Sequence, residues 1–304
     1  MSNATFSPVS LAGHDDFYAR WQATPQHSLD YTLANIWGWQ QYFGLEWRFT
    51  EHLCWIRQTL PGPVPVYWAP IGDWNKADWD KELQDGPRRF IRVPEALMEQ
   101  WRVAFGDCRL TVREDRGQWE YLYKQEELLA LSGNRFHKKK NLYSQFVKAY
   151  GEPDYRPLDD AMVEDVLALQ DDWCQWHECE DSPSLRAEND AINHVLSHWT
   201  SFPGLCGGSL YVDGRMVAFS VGEDLGNGML GVHYEKGLNG FKGVYQAINR
   251  EFARFAGENF QLLNRAQDLD EEGLRQAKMS YNPSDFLRKY IVEINLDQNA
   301  PVSK

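Results

Sequence analysis

The run MLGVHYEKGLNGFKGVYQAINREFARFA, Met229 to Ala256, decides the fold. Met229 to Tyr234 is apolar enough for a buried strand. Gly237, Gly240 and Gly243 then punctuate a loop. Val244, Ala247, Ile248 and Phe252 recur at helical spacing, which predicts an amphipathic helix over 244–255. A strand that feeds a glycine loop at a helix start frees backbone amides, and free amides with a helix dipole suit an anion. Gly240, Gly243 and Lys242 are therefore candidates to hold a donor's phosphate, with Lys242 as a point charge.

Strand signals lie on both sides of this run. Gly208 to Val212 and Met216 to Gly222 flank Asp213-Gly214, a strong hairpin signal. Asn227-Gly228 turns the chain again into Met229. Two helical patterns precede the hairpin, over Val163–Cys174 and Ala191–Trp199. Phe260 to Asn264, Glu271 to Ser280 and Phe286 to Ile294 follow as strand, helix and strand. Helix, helix, three antiparallel strands, glycine loop, helix and strand is the layout of the GNAT acyltransferase fold. The first 130 residues, rich in Trp, mix helix and strand patterns, with Ser28 as a helix-cap candidate. The expectation is an α+β protein of two GNAT-like lobes, each a mixed, mostly antiparallel sheet flanked by helices. The lobes span 1–130 and 154–304, and a basic helix over 131–153 connects them.

Composition narrows the chemistry. The 304 residues are 43% hydrophobic and 14% aromatic, ample for real cores. No apolar run has the roughly 18 residues of a membrane span, and no signal peptide opens the chain. A cytoplasmic location is the expectation. The net charge of −13 argues against generic nucleic-acid binding. Yet Ser132 to Tyr150 carries five Lys or Arg and no acid, and Glu152 to Asp190 carries thirteen acids and two Arg. Lys138, Lys139 and Lys140 crowd the start of a predicted helix, where positive charge opposes the dipole. A phosphate or the acidic segment would relieve them. The five cysteines read as reduced thiols; Cys174 and Cys179 flank His177 but lack a second ligand pair, so no metal is expected.

Two further blocks carry a resemblance. Leu131 to Asn141 reads LSGNRFHKKKN and leads to Phe146; Asn264 to Asp268 reads NRAQD, and Glu272 to Pro283 reads EGLRQAKMSYNP. Together with Tyr121-Leu122-Tyr123 they resemble the family of bacterial proteins related to the C-terminal domain of phosphatidylglycerol lysyltransferase. That resemblance implies two GNAT-like lobes, similar in fold to the Fem-type peptidyltransferases. It also implies an aminoacyl group moved from charged tRNA to a lipid head group.

Candidate residues follow. Arg275, Lys278 and Tyr281 recur three apart on one helix line next to Asp268, so two cations and a phenol could hold a phosphate and protonate a leaving group. His233 and Tyr234 should face opposite sides of their strand, one of them toward an acyl carbonyl. Glu223 could be the base for an attacking amine. The expected function is an acyl- or aminoacyl-transferase. It would use acyl-CoA or aminoacyl-tRNA as donor, and a small molecule or lipid head group as acceptor. The alternative is a non-catalytic protein of the same fold that senses a small anionic ligand or a protein partner.

Overall fold

Alternating apolar residues and tight turns build the seven-stranded sheet. In the computed structural model, which describes residues 5–84 and 88–295, Asp213 and Gly214 both take positive φ. They close Leu205–Val212 onto Arg215–Asp224 as the dipeptide predicts. Asn227 and Gly228 do the same before Met229–Gly237. The described residues fall into two units, 5–84 and 88–119 with 287–295, and 120–286.

The second unit holds the hairpins. Its seven-stranded sheet runs Asp285–Leu287, Glu120–Lys124, Leu262–Asn264, Met229–Gly237, Arg215–Asp224, Leu205–Val212 and Asp154–Pro157. The Met229 and Leu262 strands pair in parallel, and the neighbours of that pair, Arg215–Asp224 and Glu120–Lys124, run antiparallel to them. Helix Val244–Phe255 supplies one stripe to two cores. Its Phe252 and Ala253 meet Tyr121, Tyr123, Leu230, Val232 and Leu263. Its Val244, Ala247 and Ile248 meet Phe146, Leu210 and Val217. Gly243 precedes the helix at φ +82°, and a Cβ there would lie 2.2 Å from the Leu142 carbonyl oxygen. Glycine lets helix His137–Tyr150 approach this turn closely.

The first unit is a second mixed sheet. Val66–Trp68 runs parallel to Arg89–Pro94, while Leu45–Phe49 and Leu53–Gln58 form an antiparallel hairpin. Helix Leu33–Phe43 is capped by Thr32, which accepts from the Asn35 amide at 3.2 Å. Ser28 instead precedes the short turn Leu29–Tyr31. The last strand, Lys289–Ile294, lies between Arg89–Pro94 and Leu110–Glu114. The α+β class and the pair of mixed sheets agree with the sequence expectation; the expected borders do not. Glu120–Lys124 and the basic helix belong to the second unit, and the final strand to the first. Hydrophobic pattern marks a strand but not the sheet it joins.

Two further differences are local. Cys174 and Cys179 form a disulfide rather than separate thiols. Helix Val163–Trp176 stops, Glu178 turns left-handed at φ +52°, and the two Cα atoms come within 5.1 Å. Among the described residues no helix is long and apolar enough to cross a membrane, and no metal-ligand cluster is found.

Charge also sits in the first core. Asp30 accepts from Arg92 at 2.6 Å and from Lys289, whose side chain is wholly buried. Removing one member of a buried pair leaves charge without compensation. Asp30→Ala should therefore cost about 3–5 kcal/mol in chemical denaturation, whereas the exposed pair Arg89–Glu293 should cost less than about 1 kcal/mol when broken.

Candidate active site

The central strand opens the site by leaving its parallel neighbour. Met229, Leu230 and Gly231 pair with Leu262, Leu263 and Asn264, and the ladder then ends. Just beyond, Val221 pairs with Tyr234 but Gly222 with Val232, so His233 is an extra residue, a β-bulge. The bulge brings His233 and Tyr234 round toward one side. His233 Nε2 lies 2.8 Å from Glu223 Oε2, both side chains being buried. The Tyr234 hydroxyl is driven to high pKa by burial, with Glu188 and Glu223 adding to it. The two rings are 5.8 Å apart. Strict alternation, which places them on opposite faces, fails here for that reason.

Past the bulge, Glu235 reaches the gap between the parted strands. Arg265, the first residue after Asn264, donates to Glu235 at 2.8 Å. Its guanidinium lies 5.0 Å from the Tyr281 ring and 5.9 Å from the Tyr123 ring. Burial works against the Arg265 charge, but Glu235 and the two phenols outweigh it and keep its pKa above the ordinary value. Tyr281 is buried and its hydroxyl accepts from Gln246 at 3.3 Å. Its pKa is raised by burial, against the pull of Arg265.

Lys278 completes the cluster. The residue is half-buried, but its amine turns inward and donates to the Arg265 carbonyl. Burial, and then the Arg265 charge, push its pKa down to about 7. Lys139 approaches from helix His137–Tyr150, its amine 4.1 Å from the Tyr281 ring centroid. Its pKa is lowered too, by burial and by Arg265. Three cationic groups thus share one small region, and Glu235, with Asp268 and Glu120 adding less, offsets their charge at Lys278.

Asp268 holds the segment that presents these groups. It is fully buried and accepts two hydrogen bonds from Arg275, at 2.8 and 2.9 Å, and one from the Tyr121 hydroxyl at 2.5 Å. Burial alone would raise its pKa; Arg275 and Tyr121 reverse that and hold it down at about 2. Arg275 also donates to Asp270 at 2.6 Å. Tyr123 donates to the Lys278 carbonyl at 2.8 Å, fixing the end of helix Glu272–Met279.

The expected residues separate accordingly. Lys278, Tyr281 and Lys139 come together. Lys138 and Lys140 are exposed, because only one residue of three faces inward on a helix. Arg275 is committed to Asp268 and Asp270, so its fork is not open to a phosphate, and Asp268 is a structural anchor. Glu223 and His233 bond each other. The glycine loop is partly closed: the Lys242 amide donates to the Tyr150 hydroxyl at 3.3 Å, and that hydroxyl donates to the Gly240 carbonyl at 3.1 Å. Lys242 itself is exposed, and Gly243 serves close packing. Sequence reasoning missed Glu235, Gln246 and the role of Arg265. Arg265 lies within the quoted NRAQD block, so the signal was present; Glu235 needs the bulge. A cleft of about 610 Å³ elsewhere in the second unit contains none of these residues.

Two mixed sheets, each with a parallel pair, build a GNAT-like fold, and a half-buried cationic cluster sits where the second unit's parallel pair parts. The family model described as phosphatidylglycerol lysyltransferase, C-terminal, matches residues 21–293, and the chain belongs to that family. It is 26% identical over 175 residues to protein MYCGA3080 of Mycoplasmoides gallisepticum; that match spans 57% of this chain and 56% of the relative, little more than half its length. A crystal structure of a conserved protein from Bacteroides thetaiotaomicron superposes with a TM-score of 0.84 at 26% identity, covering 96% of this chain and all of that one. L-PGS from Bacillus licheniformis shares the fold at a TM-score of 0.63 and 12% identity, over 99% of this chain and 96% of that one.

Two outcomes test this geometry. Asp268→Asn keeps the shape but weakens the hold on Arg275, and should cost about 3 kcal/mol in denaturant unfolding. Lys278 binds its proton more weakly folded, at about 7, than at its ordinary 10.5. Between those values the unfolded chain carries more protons, so stability rises with pH. Melting curves should show the native chain gaining on Lys278→Met from pH about 7 upward, with no relative gain at lower pH.

Proposed function

We propose that the protein is an acyltransferase of the aminoacyl-transferring kind, moving an acyl group from a phosphate-bearing donor to an amine or hydroxyl acceptor. The observation that carries this reading is the Lys278 amine. It titrates near neutrality, at about 7, beside Arg265, Lys139 and Tyr281 in the gap between parted strands. Such an amine is neutral in part of the population at physiological pH and can accept a proton. The acceptor's nitrogen or oxygen attacks the donor's ester carbonyl, and its proton passes to Lys278 Nζ. The tetrahedral oxyanion lies among cations and the open strand edge. Collapse breaks the bond to the donor oxygen, which takes the proton back from Lys278.

Closure of the glycine loop by Tyr150 supports an aminoacyl ester over a CoA thioester as donor, because the loop amide it occupies is one that a pyrophosphate would use. Exposed Lys138 and Lys140 fit contact with a tRNA backbone next to Lys139. The family's own description supports a lipid head group as acceptor.

Charged tRNAs and acyl-CoAs, each offered with phospholipid and small-amine acceptors, test this. Transfer from an aminoacyl ester is expected, rising with pH through about 7. Lys278→Met should lower kcat by about 100-fold or more. Lys138→Ala with Lys140→Ala should raise KM at nearly constant kcat. No turnover with any donor, or full activity in Lys278→Met, would overturn the proposal.

A further inference from the structure

The 610 Å³ cleft lies in the second unit, at the edge of its sheet. Asp154–Pro157 is the edge strand, and among the described residues it pairs with Gly208 to Tyr211 alone. The neighbouring strand begins earlier, at Leu205, so Leu205, Cys206 and Gly207 extend past the last rung. Those three residues line the cleft, and the chain passes beside it as Leu158 donates to the Gly207 carbonyl at 3.0 Å.

The walls are built from fixed apolar groups. The Tyr155 ring crosses Gly208 so closely that a Cβ there would lie 2.0 Å from its hydroxyl. It also stacks on Phe255 with centroids 4.7 Å apart and planes within 12°. Trp199, buried Phe202 and Leu158 supply the other sides. The volume is that of a small-molecule site. The lining carries two carboxylates, Asp159 and Asp160, and no Lys, Arg or His. Both aspartates are exposed, and among the described residues neither is paired with a cation.

The geometry points to a binding site for a small organic ammonium compound, with an alkyl or aryl body in the cleft and its cationic nitrogen at Asp159 and Asp160. An apolar body replaces water against Trp199, Phe202 and Leu205. The nitrogen relieves repulsion between adjacent carboxylates, and an anionic amphiphile of the same length meets that repulsion instead. The cleft shares no lining residue with the Lys278 cluster, so the inference stands apart from the transfer reaction.

Isothermal titration of the full chain with octylammonium, octanol and octanoate tests the assignment. Octylammonium should bind one per chain and octanoate should not bind measurably. Replacing both aspartates, Asp159→Asn with Asp160→Asn, should weaken octylammonium about fivefold or more and leave octanol unchanged. Thr200→Trp, at an exposed lining position, should fill the cleft and abolish binding. Three results would each overturn the inference. They are no saturable octylammonium binding, equal binding of octanol and octylammonium, and undiminished binding in Thr200→Trp.

Discussion

The candidate site depends on a parallel ladder only three residues long. Met229–Gly231 and Leu262–Asn264 hold together and then part. Antiparallel partners could have continued as a hairpin, but a parallel pair joined through a helix has no such tether. The bulge at His233 increases the divergence. What fills the gap must satisfy the freed edge, and here it is charge: Glu235 from one strand and Arg265 from the end of the other.

That choice sets the chemistry around it. A guanidinium held at Glu235 is permanently positive, so a lysine amine placed beside it loses affinity for its proton. Lys278 could not be kept there by its own interactions, since it is costly to bury. Asp268 anchors the segment instead, through Arg275 and Tyr121, at the beginning of the helix that carries Lys278. The cost of one buried cation is met by a neighbouring ion pair with better geometry. The first unit repeats part of the scheme. Val66–Trp68 pairs in parallel with Arg89–Pro94 over Tyr67–Phe90 and Trp68–Ile91, and the next residue is again an arginine. Arg92 rests 4.1 Å from the Trp68 ring and is held by Asp30. Aromatic rings flank the arginine in both units, Trp68 here and Tyr281 with Tyr123 in the second.

Much of this is legible in the residues alone. Asp213-Gly214 and Asn227-Gly228 mark turns by their tolerance of positive φ, and Val244 to Phe252 declares a helix by its period. The family blocks LSGNRFHKKKN, NRAQD and EGLRQAKMSYNP contain Lys139, Arg265, Lys278 and Tyr281, four of the groups that gather. Their roles were not legible. A run of three lysines looks uniform in sequence, yet only Lys139 turns toward Tyr281. Arg275 and Lys278 look equivalent on one helix line, yet one is bound by two aspartates and the other is enclosed.

The sequence by itself determined the α+β class, the antiparallel hairpins, the central strand with its helix, and the family, because periodicity, turn chemistry and local motifs are short-range properties. The tertiary structure decided which sheet the last strand joins, where the central ladder breaks, and which charges pair across separations such as Glu235 to Arg265 or Tyr121 to Asp268. Those outcomes rest on distances between residues far apart in the chain. A pKa, unlike a turn, is set by whatever packing brings alongside.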